Sequence, residues 1–289
     1  MEAARIPSRD RVPALTQGEP SVAGRAAEGW LGPVRRTVDG AGEFAVFVLA
    51  VLQGSRGTWR SSAEVLRQAG IYITGSALVI WGMQFVIGST VGTEAAYILR
   101  GYGAQSYSGV FTAWATIRVT APLMFGYILA AKVGCGLVAE IGSMRINDEI
   151  DGMKTMGVDP MRYLIATRVV AALLAFPFIY AIGIGFQFLA EYLTIVVQIG
   201  EISSGAWSSV HWQYQNPRDL ICSIVIAMVF ALTIVLVGLF YGYRATGGPA
   251  GVGAATARSM VVNLVLVHVL GALFAMLFWG FTPNAPVGG

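Results

Sequence analysis

The chain has 289 residues, of which 55% are hydrophobic and 12% are charged. Soluble proteins average about 25% charged residues, so this composition excludes an ordinary soluble enzyme and indicates a membrane protein. The formal net charge of +3 is too small to indicate a nucleic-acid-binding protein.

The N-terminal part predicts no membrane span. Residues 1–29 mix Pro, Gly, Arg and Glu without periodicity, which predicts a disordered cytoplasmic tail without a signal peptide. Residues 30–54 contain an apolar run that is too short to cross a bilayer. A polar side carries Arg35, Arg36, Asp39 and Glu43. This pattern predicts a helix along the inner leaflet, and a helix packed on the bundle fits it equally well.

Five apolar stretches are long enough to span a bilayer, which takes about 20 residues. They predict transmembrane helices at 71–98, 109–139, 168–199, 219–243 and 258–281. If the N-terminus is cytoplasmic, the cytoplasmic side holds all of the 19 basic residues except Arg100, Arg118 and Arg218. Cytoplasmic loops are typically rich in Lys and Arg. We therefore predict a multi-pass protein of the cell (inner) membrane, with a cytoplasmic N-terminus and an extracytoplasmic C-terminus.

Several residues inside the spans are unusual for lipid-facing helices. Gly88 and Gly92 share a helix face, which permits close approach of another helix unless that face meets lipid. Arg118 lies in the outer part of the second span, where it either contacts an anionic headgroup in a lipid pathway or snorkels to the headgroups. Pro122 predicts a kink just beyond it. Glu191 is predicted as a solvated or interfacial acid rather than a proton carrier.

Two loops contain residues that suggest a site but are explained more simply. The outer loop at 200–219 contains Trp207, His211, Trp212 and Tyr214, which predict an aromatic belt at the membrane interface. The last cytoplasmic loop reads ATGGPAGVGAATARS from position 245. No Rossmann unit surrounds its glycines, so it predicts a tight turn into the fifth span and not a nucleotide site.

A polar stretch, Ala139–Arg168, separates the second and third spans and predicts a short helix at 146–157. Asn147 is the expected N-cap. Acidic residues follow in the first turn, where negative charge suits the helix dipole. Gly157 is expected to end the helix in the left-handed conformation, and Pro160 to prevent its restart.

The short helix is predicted to be amphipathic. Helical spacing places Ile146, Ile150, Met153 and Met156 on one face and acidic residues on the opposite face. A short helix of this kind needs a surface to lie against. We therefore predict that it docks on a partner protein.

The sequence lacks the motifs of an enzyme. Its lysines are Lys132 and Lys154, and neither follows a glycine as a Walker A loop requires. Its histidines, His211 and His268, are far apart and lack metal-ligand spacing. We predict a protein without catalytic residues or a metal site, so a transport passage or a membrane scaffold remains.

The polar stretch also carries a recognisable set of motifs. They are Ala139-Glu140-Ile141-Gly142, Met144-Arg145, Glu149-Ile150-Asp151, Met153 and Met156-Gly157-Val158-Asp159-Pro160. With them the chain resembles the MlaE/YrbE permeases, which are the membrane subunits of ABC transporters that work with MCE proteins. The resemblance extends over about residues 60–281. Residues 281–284 and the Gly247-Gly248-Pro249 turn resemble the B-type YrbE subunits of actinobacteria.

The resemblance implies an all-α integral membrane protein with the MlaE-like ABC permease fold, an N-terminal interfacial helix and five transmembrane helices within a permease domain at 30–289. The helix at 146–157 would be the coupling helix that docks on a cytoplasmic ABC ATPase dimer, with Ile150 and Met153 making apolar contacts. The implied ATPase-coupling residues are Glu140, Arg145, Asp148, Glu149, Ile150, Asp151, Met153, Met156, Gly157 and Asp159.

The resemblance also implies a lipid pathway. A second YrbE-type permease would pair with this chain as a homodimer or heterodimer, and lipid would lie between the two in a cavity open to the outer side. The implied lipid-pathway residues are Val91, Leu99, Tyr102 and Arg118. Where many members have Arg-Glu-Leu-Gly-Pro, this chain has Arg118-Val119-Thr120-Ala121-Pro122, so the acid of that motif is absent.

These implications together describe one subunit of an ATP-driven transporter that moves lipid or fatty acid between the outer-facing cavity and the cell membrane. MCE proteins would bind outside. This chain would bind no cofactor, since ATP and Mg²⁺ would belong to the partner ATPase.

Two other functions fit the sequence less well. A membrane scaffold that recruits cytoplasmic proteins would not need the glycines, prolines and Arg118 inside the spans. A channel or secondary transporter would be expected to show paired intramembrane acids or repeated halves, and the sequence shows neither.

Overall fold

The computed structural model describes residues 22–281, with side chains from residue 39 onward except at positions 59 and 60. Every regular element in this part of the chain is helical. The chain divides into two compact units, Met1–Val46 and Phe47–Gly289. The second unit holds all the predicted spans and both predicted functional regions.

We number the main helices in chain order. They are α1 (Val22–Ser55), α2 (Ser62–Gly101), α3 (Gln105–Ile146), α4 (Glu149–Thr155), α5 (Met161–Ile199), α6 (Ser204–Gln213), α7 (Pro217–Tyr243) and α8 (Gly248–Trp279). Five of them, α2, α3, α5, α7 and α8, are long and apolar enough to cross a membrane. The all-α class and the five predicted spans are confirmed.

The helices extend beyond the apolar runs that predicted them. Helix α2 has 40 residues, about 60 Å at 1.5 Å per residue, whereas the hydrocarbon core of a bilayer is about 30 Å thick. Most of the predicted tail at 1–29 lies outside the described residues, but residues 22–29 belong to α1, so the disorder predicted for them is wrong. Hydropathy predicts the part of a helix that lies in the membrane, whereas backbone hydrogen bonds let the helix continue beyond that part.

The glycine-rich turn before the last span is also shorter than predicted. Gly247 has a φ of +85°, in the left-handed region that glycine tolerates. Helix α8 begins at the next residue, Gly248, with Pro249 in its first turn, where a proline needs no amide hydrogen. Residues 251–258 are therefore helical and not part of a turn.

The C-terminal end of α1 has one buried and one exposed side. Phe47 and Val51 are buried, whereas Leu49 and Leu52 are exposed. The ring of Phe47 lies 5.5 Å from that of Phe240 on α7, centroid to centroid. The end of α1 is thus anchored by packing, and its outer apolar side is left for lipid or another protein.

Two glycines bring α2 and α5 into close contact. A Cβ atom added at Gly88 would overlap the carbonyl oxygen of Gln187, and one at Gly92 would lie 3.2 Å from the Cα atom of Glu191. The predicted close helix approach is confirmed, and the alternative that these glycines face lipid is wrong.

An aromatic cluster fills the centre of the bundle. The ring of Phe125 on α3 lies 5.0 Å from Tyr180 and 6.2 Å from Phe176, both on α5. The Tyr180 hydroxyl and Ser223 Oγ on α7 are 2.6 Å apart, and Ser223 donates to the carbonyl oxygen of Ile117. Three spans therefore meet around one buried, hydrogen-bonded tyrosine.

Helix α3 contains two π-helical segments, Thr116–Thr120 and Ala130–Gly134. A π turn accommodates an extra residue in a helix and is often found at functional sites. Pro122 follows the first segment and has no amide hydrogen to donate back along the helix. The irregularity predicted at Pro122 thus takes the form of a π turn just before it.

The glycine contact yields the first prediction. We expect Gly88→Val to lower the yield of monodisperse protein and its melting temperature, because overpacking of a close helix contact costs about 1–3 kcal/mol. Gly82→Val is the matched control, since nothing lies within 4 Å of a Cβ atom at Gly82. Thermal unfolding in detergent measures both variants, and equal melting temperatures would contradict the close contact.

Candidate functional site

Helix α4 begins differently from the sequence prediction. Asn147 is the C-terminal cap of α3, and Asp148 precedes α4 with a left-handed φ of 59°. The prediction of Asn147 as N-cap is therefore wrong, because α3 continues as far as Ile146. Gly157 adopts the predicted left-handed conformation, with a φ of 78°.

The proline after α4 starts a helix instead of preventing one. Pro160 immediately precedes Met161, the first residue of α5. The fixed φ of proline suits the first turn of a helix, where its missing amide hydrogen is not required. The prediction that Pro160 blocks a restart is wrong for this reason.

The apolar face of α4 lies against its own protein. Ile150 is completely buried and belongs to the main hydrophobic core, and Met153 is partly buried against that core. The prediction that Ile150 contacts a partner is therefore wrong. Amphipathic spacing shows that one face of a helix is covered, but not which molecule covers it.

One ion pair joins α4 to the end of α3, and a second lies within α4. Asp151 accepts hydrogen bonds from Lys154 Nζ at 2.7 Å and from Arg145 Nη1 at 3.0 Å. The Arg145 guanidinium also lies 5.9 Å from the ring centroid of Tyr243 on α7. Lys154, and to a lesser extent Arg145, lower the pKa of the Asp151 carboxyl below its ordinary value. Two of the predicted coupling charges, Arg145 and Asp151, are thus engaged within the chain.

Glu140 is also engaged within the chain. Its Oε1 accepts a 2.5 Å hydrogen bond from Nη2 of Arg168, whose side chain is 4% exposed. Arg168 donates a second hydrogen bond to the carbonyl oxygen of Leu164. This contact joins the end of α3 to the start of α5, on either side of α4.

Met156 and three acids among the remaining predicted coupling residues form an exposed surface around α4, together with Val158, which was not predicted as a coupling residue. The side chain of Met156 is 74% exposed and that of Val158 is 36% exposed. The exposed acids Asp148, Glu149 and Asp159 also lie on this surface. We call these five residues the α4 surface. An apolar projection accompanied by acids can insert into an apolar groove with a basic rim.

Arg118 is neutralised inside the protein. Its Nε and Nη2 atoms lie 2.9 Å and 2.6 Å from Oδ2 of Asp219 on α7, and the two side chains are 13% and 4% exposed. Trp279 of α8 donates to Oδ1 of the same carboxylate at 2.9 Å. The Arg118 guanidinium also lies over the rings of Trp114 and Trp279. This internal pairing favours neither of the two predicted roles, headgroup contact and snorkelling.

The other predicted lipid-pathway residues lie on a different helix. Val91 and Leu99 are half-buried on α2, and Tyr102 follows the end of α2 with its side chain 82% exposed. The contacts of Arg118 are with α7 and α8. The structure therefore separates Arg118 from the other three, and Asp219 is the partner that sequence analysis missed.

The predicted aromatic belt is largely inside the protein. Trp207 and His211 on α6 are buried, and Trp212 is exposed. The His211 ring stacks on Trp207 at 4.4 Å and meets Phe188 of α5 at 4.7 Å. Its Nδ1 lies 3.2 Å from Thr112 Oγ1. Burial lowers the pKa of His211 to about 4.

The sequence matches a known permease family. The family model described as "Permease MlaE" covers residues 65–277. The chain belongs to the MlaE permease family. This membership fits a multi-pass membrane protein with five spans, in which a short, ion-paired helix lies between the second and third spans.

Several named proteins are similar to this permease. A probable ABC transporter permease protein of Rickettsia conorii is 28% identical and covers 85% of this chain and 95% of its own length. The intermembrane phospholipid transport system permease protein MlaE of Haemophilus influenzae is 27% identical, covering 74% of this chain and 82% of its own. Arabidopsis thaliana TRIGALACTOSYLDIACYLGLYCEROL 1, a chloroplastic protein, is 26% identical over 80% and 65% of the two chains.

The Arg118–Asp219 pair of this permease gives the second prediction. We expect Asp219→Asn to cost about 3–5 kcal/mol of stability, because the buried guanidinium loses its counter-charge. The double variant Arg118→Met, Asp219→Leu should recover most of that loss. Thermal unfolding in detergent measures both.

The more exposed pair between Arg100 and Glu201 supplies the control. We expect Glu201→Gln to cost less than about 1 kcal/mol, because solvent screens an exposed ion pair. If Asp219→Asn is no more harmful than Glu201→Gln, the internal role of Arg118 is wrong.

The third prediction concerns pH. Because its pKa is lowered to about 4, His211 stays neutral in the folded protein down to about that pH, whereas the unfolded chain binds a proton there near pH 6.5, as an ordinary histidine does. The contribution of His211 to stability is therefore complete above about pH 6.5 and is lost as the pH falls towards 4, by about 3 kcal/mol.

We expect His211→Phe to flatten the dependence of the melting temperature on pH across that interval. His268→Phe is the control, because His268 is exposed on α8. A flattened profile in the control, or an unchanged one in His211→Phe, would contradict the assignment.

Proposed function

We propose that this permease is the transmembrane subunit of an ATP-driven lipid transporter that works with MCE proteins. It would move lipid or fatty acid between an outer-facing cavity and the cell membrane. Membership of the MlaE permease family supports this proposal, as does the phospholipid transport named for the Haemophilus influenzae relative. The structural observation that carries it is the α4 surface.

The α4 surface is suited to transmit force because α4 is fixed on its other side. Ile150 is buried in the core, and Asp151 pairs with Arg145 at the end of α3. A push on Met156 therefore acts through a fixed helix on the ends of α3 and α5. Packed helices shift as rigid bodies between discrete arrangements, so a small displacement at α4 can change the spacing of the spans.

The proposal places the α4 surface on the cytoplasmic side, where the basic residues concentrate. The N-terminus would be cytoplasmic and the C-terminus extracytoplasmic. An ABC ATPase dimer would bind ATP and Mg²⁺ and contact the α4 surface through Met156 and its acidic neighbours. This chain supplies no Walker A lysine, so hydrolysis belongs to that partner.

The lipid pathway belongs to the proposal in a revised form. A second YrbE-type permease, identical or different, would complete the cavity, with MCE proteins bound outside. Val91, Leu99 and Tyr102 remain the proposed lipid-contacting residues, because they lie in sequence along the outer part of α2 and are at least partly exposed. Arg118 joins α3 to α7 and is no longer assigned to the pathway. The B-type subunit class remains a prediction from the sequence motifs.

The fourth prediction tests docking. We expect the double variant Met156→Asp, Val158→Asp to reduce co-purification of the ATPase about 10-fold or more, because burial of each apolar side chain contributes about 1.5–3 kcal/mol. Tyr107→Asp is the control, since Tyr107 is exposed at the opposite end of α3. The measurement is the ATPase-to-permease ratio after affinity purification.

A wild-type ratio in the double variant would remove the α4 surface from the docking site. Labelling of a Thr155→Cys variant from the extracytoplasmic side would contradict the proposed orientation. Ile150→Asp is unsuitable for this test, because a charge at a completely buried position would damage the fold itself.

A further inference from the structure

A buried acid in the third span has no counter-charge among the residues that the structure describes. The Glu191 side chain on α5 is completely inaccessible to solvent. Its Oε1 accepts a hydrogen bond from Thr116 in the first π segment of α3. Its Oε2 has no hydrogen-bond partner within the described part of the chain. The sequence-based prediction of a solvated or interfacial acid is therefore wrong.

Two buried glutamines line the same contact between α2, α3 and α5. Gln187 precedes Glu191 by four residues and donates to Thr120 Oγ1 at 2.7 Å. Gln84 of α2 donates to the carbonyl oxygen of Ala121 at 3.1 Å. The Oε1 atoms of both glutamines are buried, and no donor for them is found between residues 39 and 281. Including Glu191 Oε2, the described part of this polar contact contains three buried acceptor atoms that lack a donor.

The charged groups on the surrounding helices are engaged elsewhere or exposed. On α2, Glu94 is exposed and Arg100 pairs with Glu201. Arg118 of α3 pairs with Asp219 of α7. The remaining neighbour, His211 of α6, contacts Thr112.

Among the described residues, none of these groups forms an ion pair with Glu191. An unpaired carboxylate in such a site is unfavourable by several kcal/mol. A bound proton removes the charge and also turns one acceptor into a donor.

We propose that Glu191 is an exchangeable proton-binding site of this permease, occupied while the contact between α2, α3 and α5 is closed. One proton from water adds to the carboxylate to give the neutral acid. The proton sits on Oε2, and the resulting O–H group is available to the amide oxygen of Gln187, which lies one helical turn away on the same face. No other reactant is required.

The packing around Glu191 links proton binding to helix movement. Gly88 and Gly92 bring the α2 backbone against α5 at Gln187 and Glu191, which keeps water out. The π segment at Thr116–Thr120 supplies the opposing wall. If α2 moves away from α5, water reaches the carboxyl group and the proton is released. Each closure then binds one proton again.

The test is infrared difference spectroscopy of the complete transporter in nanodiscs near neutral pH, wild type minus Glu191→Gln. We expect the wild type to show the C=O band of a protonated carboxylic acid, shifted in D₂O and missing from the variant. Glu94→Gln, which changes an exposed acid of the neighbouring helix, should retain the band. Carboxylate bands in the wild-type difference spectrum would overturn the proposal.

A second measurement needs only the wild type, in case Glu191→Gln does not fold. A hydrophobic carbodiimide reacts with protonated carboxyl groups in apolar surroundings, and we expect peptide mass spectrometry to find the adduct at Glu191. Absence of the adduct after prolonged reaction with a transporter that is turning over, so that the reagent gains access while each closure binds the proton again, would overturn the proposal. Stabilisation by Na⁺ but not by choline, without a carboxylic acid band, would also overturn it by assigning the site to a metal cation. None of these outcomes depends on which molecule is transported or on ATPase docking.

Discussion

The close approach of α2 and α5 at Gly88 and Gly92 is the constraint on which the rest of the bundle depends. A side chain at Gly88 would overlap the backbone of α5 at Gln187. Because the hydrocarbon region offers no hydrogen bonds, polar side chains brought into this contact must find partners within the protein. Gln187 and Glu191 therefore meet the threonines of α3, and one glycine pair fixes the positions of three spans.

Charged side chains in the bundle form ion pairs between helices. The Arg118–Asp219 pair joins α3 to α7, while Glu140–Arg168 joins α3 to α5 beside α4. Each pair connects segments that are distant in sequence, so movement of one helix is transmitted to another. The second pair lies beside α4, where the proposed force transmission would act.

Much of the candidate site could be predicted from local sequence. The burial of its apolar residues and the pairing of its charges could not. Gly157 was predictable because a left-handed residue after a short helix favours glycine. The burial of Ile150 was not, since its spacing fits a face covered by either its own bundle or a partner. The Arg118–Asp219 pair joins residues that are 101 positions apart, and no local pattern relates them. The sequence predicts Glu191 as an interfacial acid because it lies near the end of an apolar run.

The sequence by itself determined that the chain is an all-α membrane protein with five spans, and it located the polar helix between the second and third spans. Those properties follow from hydropathy, run length and the glycine that ends α4, which neighbouring residues set. Only the tertiary structure decided which charges are paired, which face of α4 is exposed and that Glu191 is buried. Those properties depend on which helices pack together, because burial and pairing are set by residues far away in the chain.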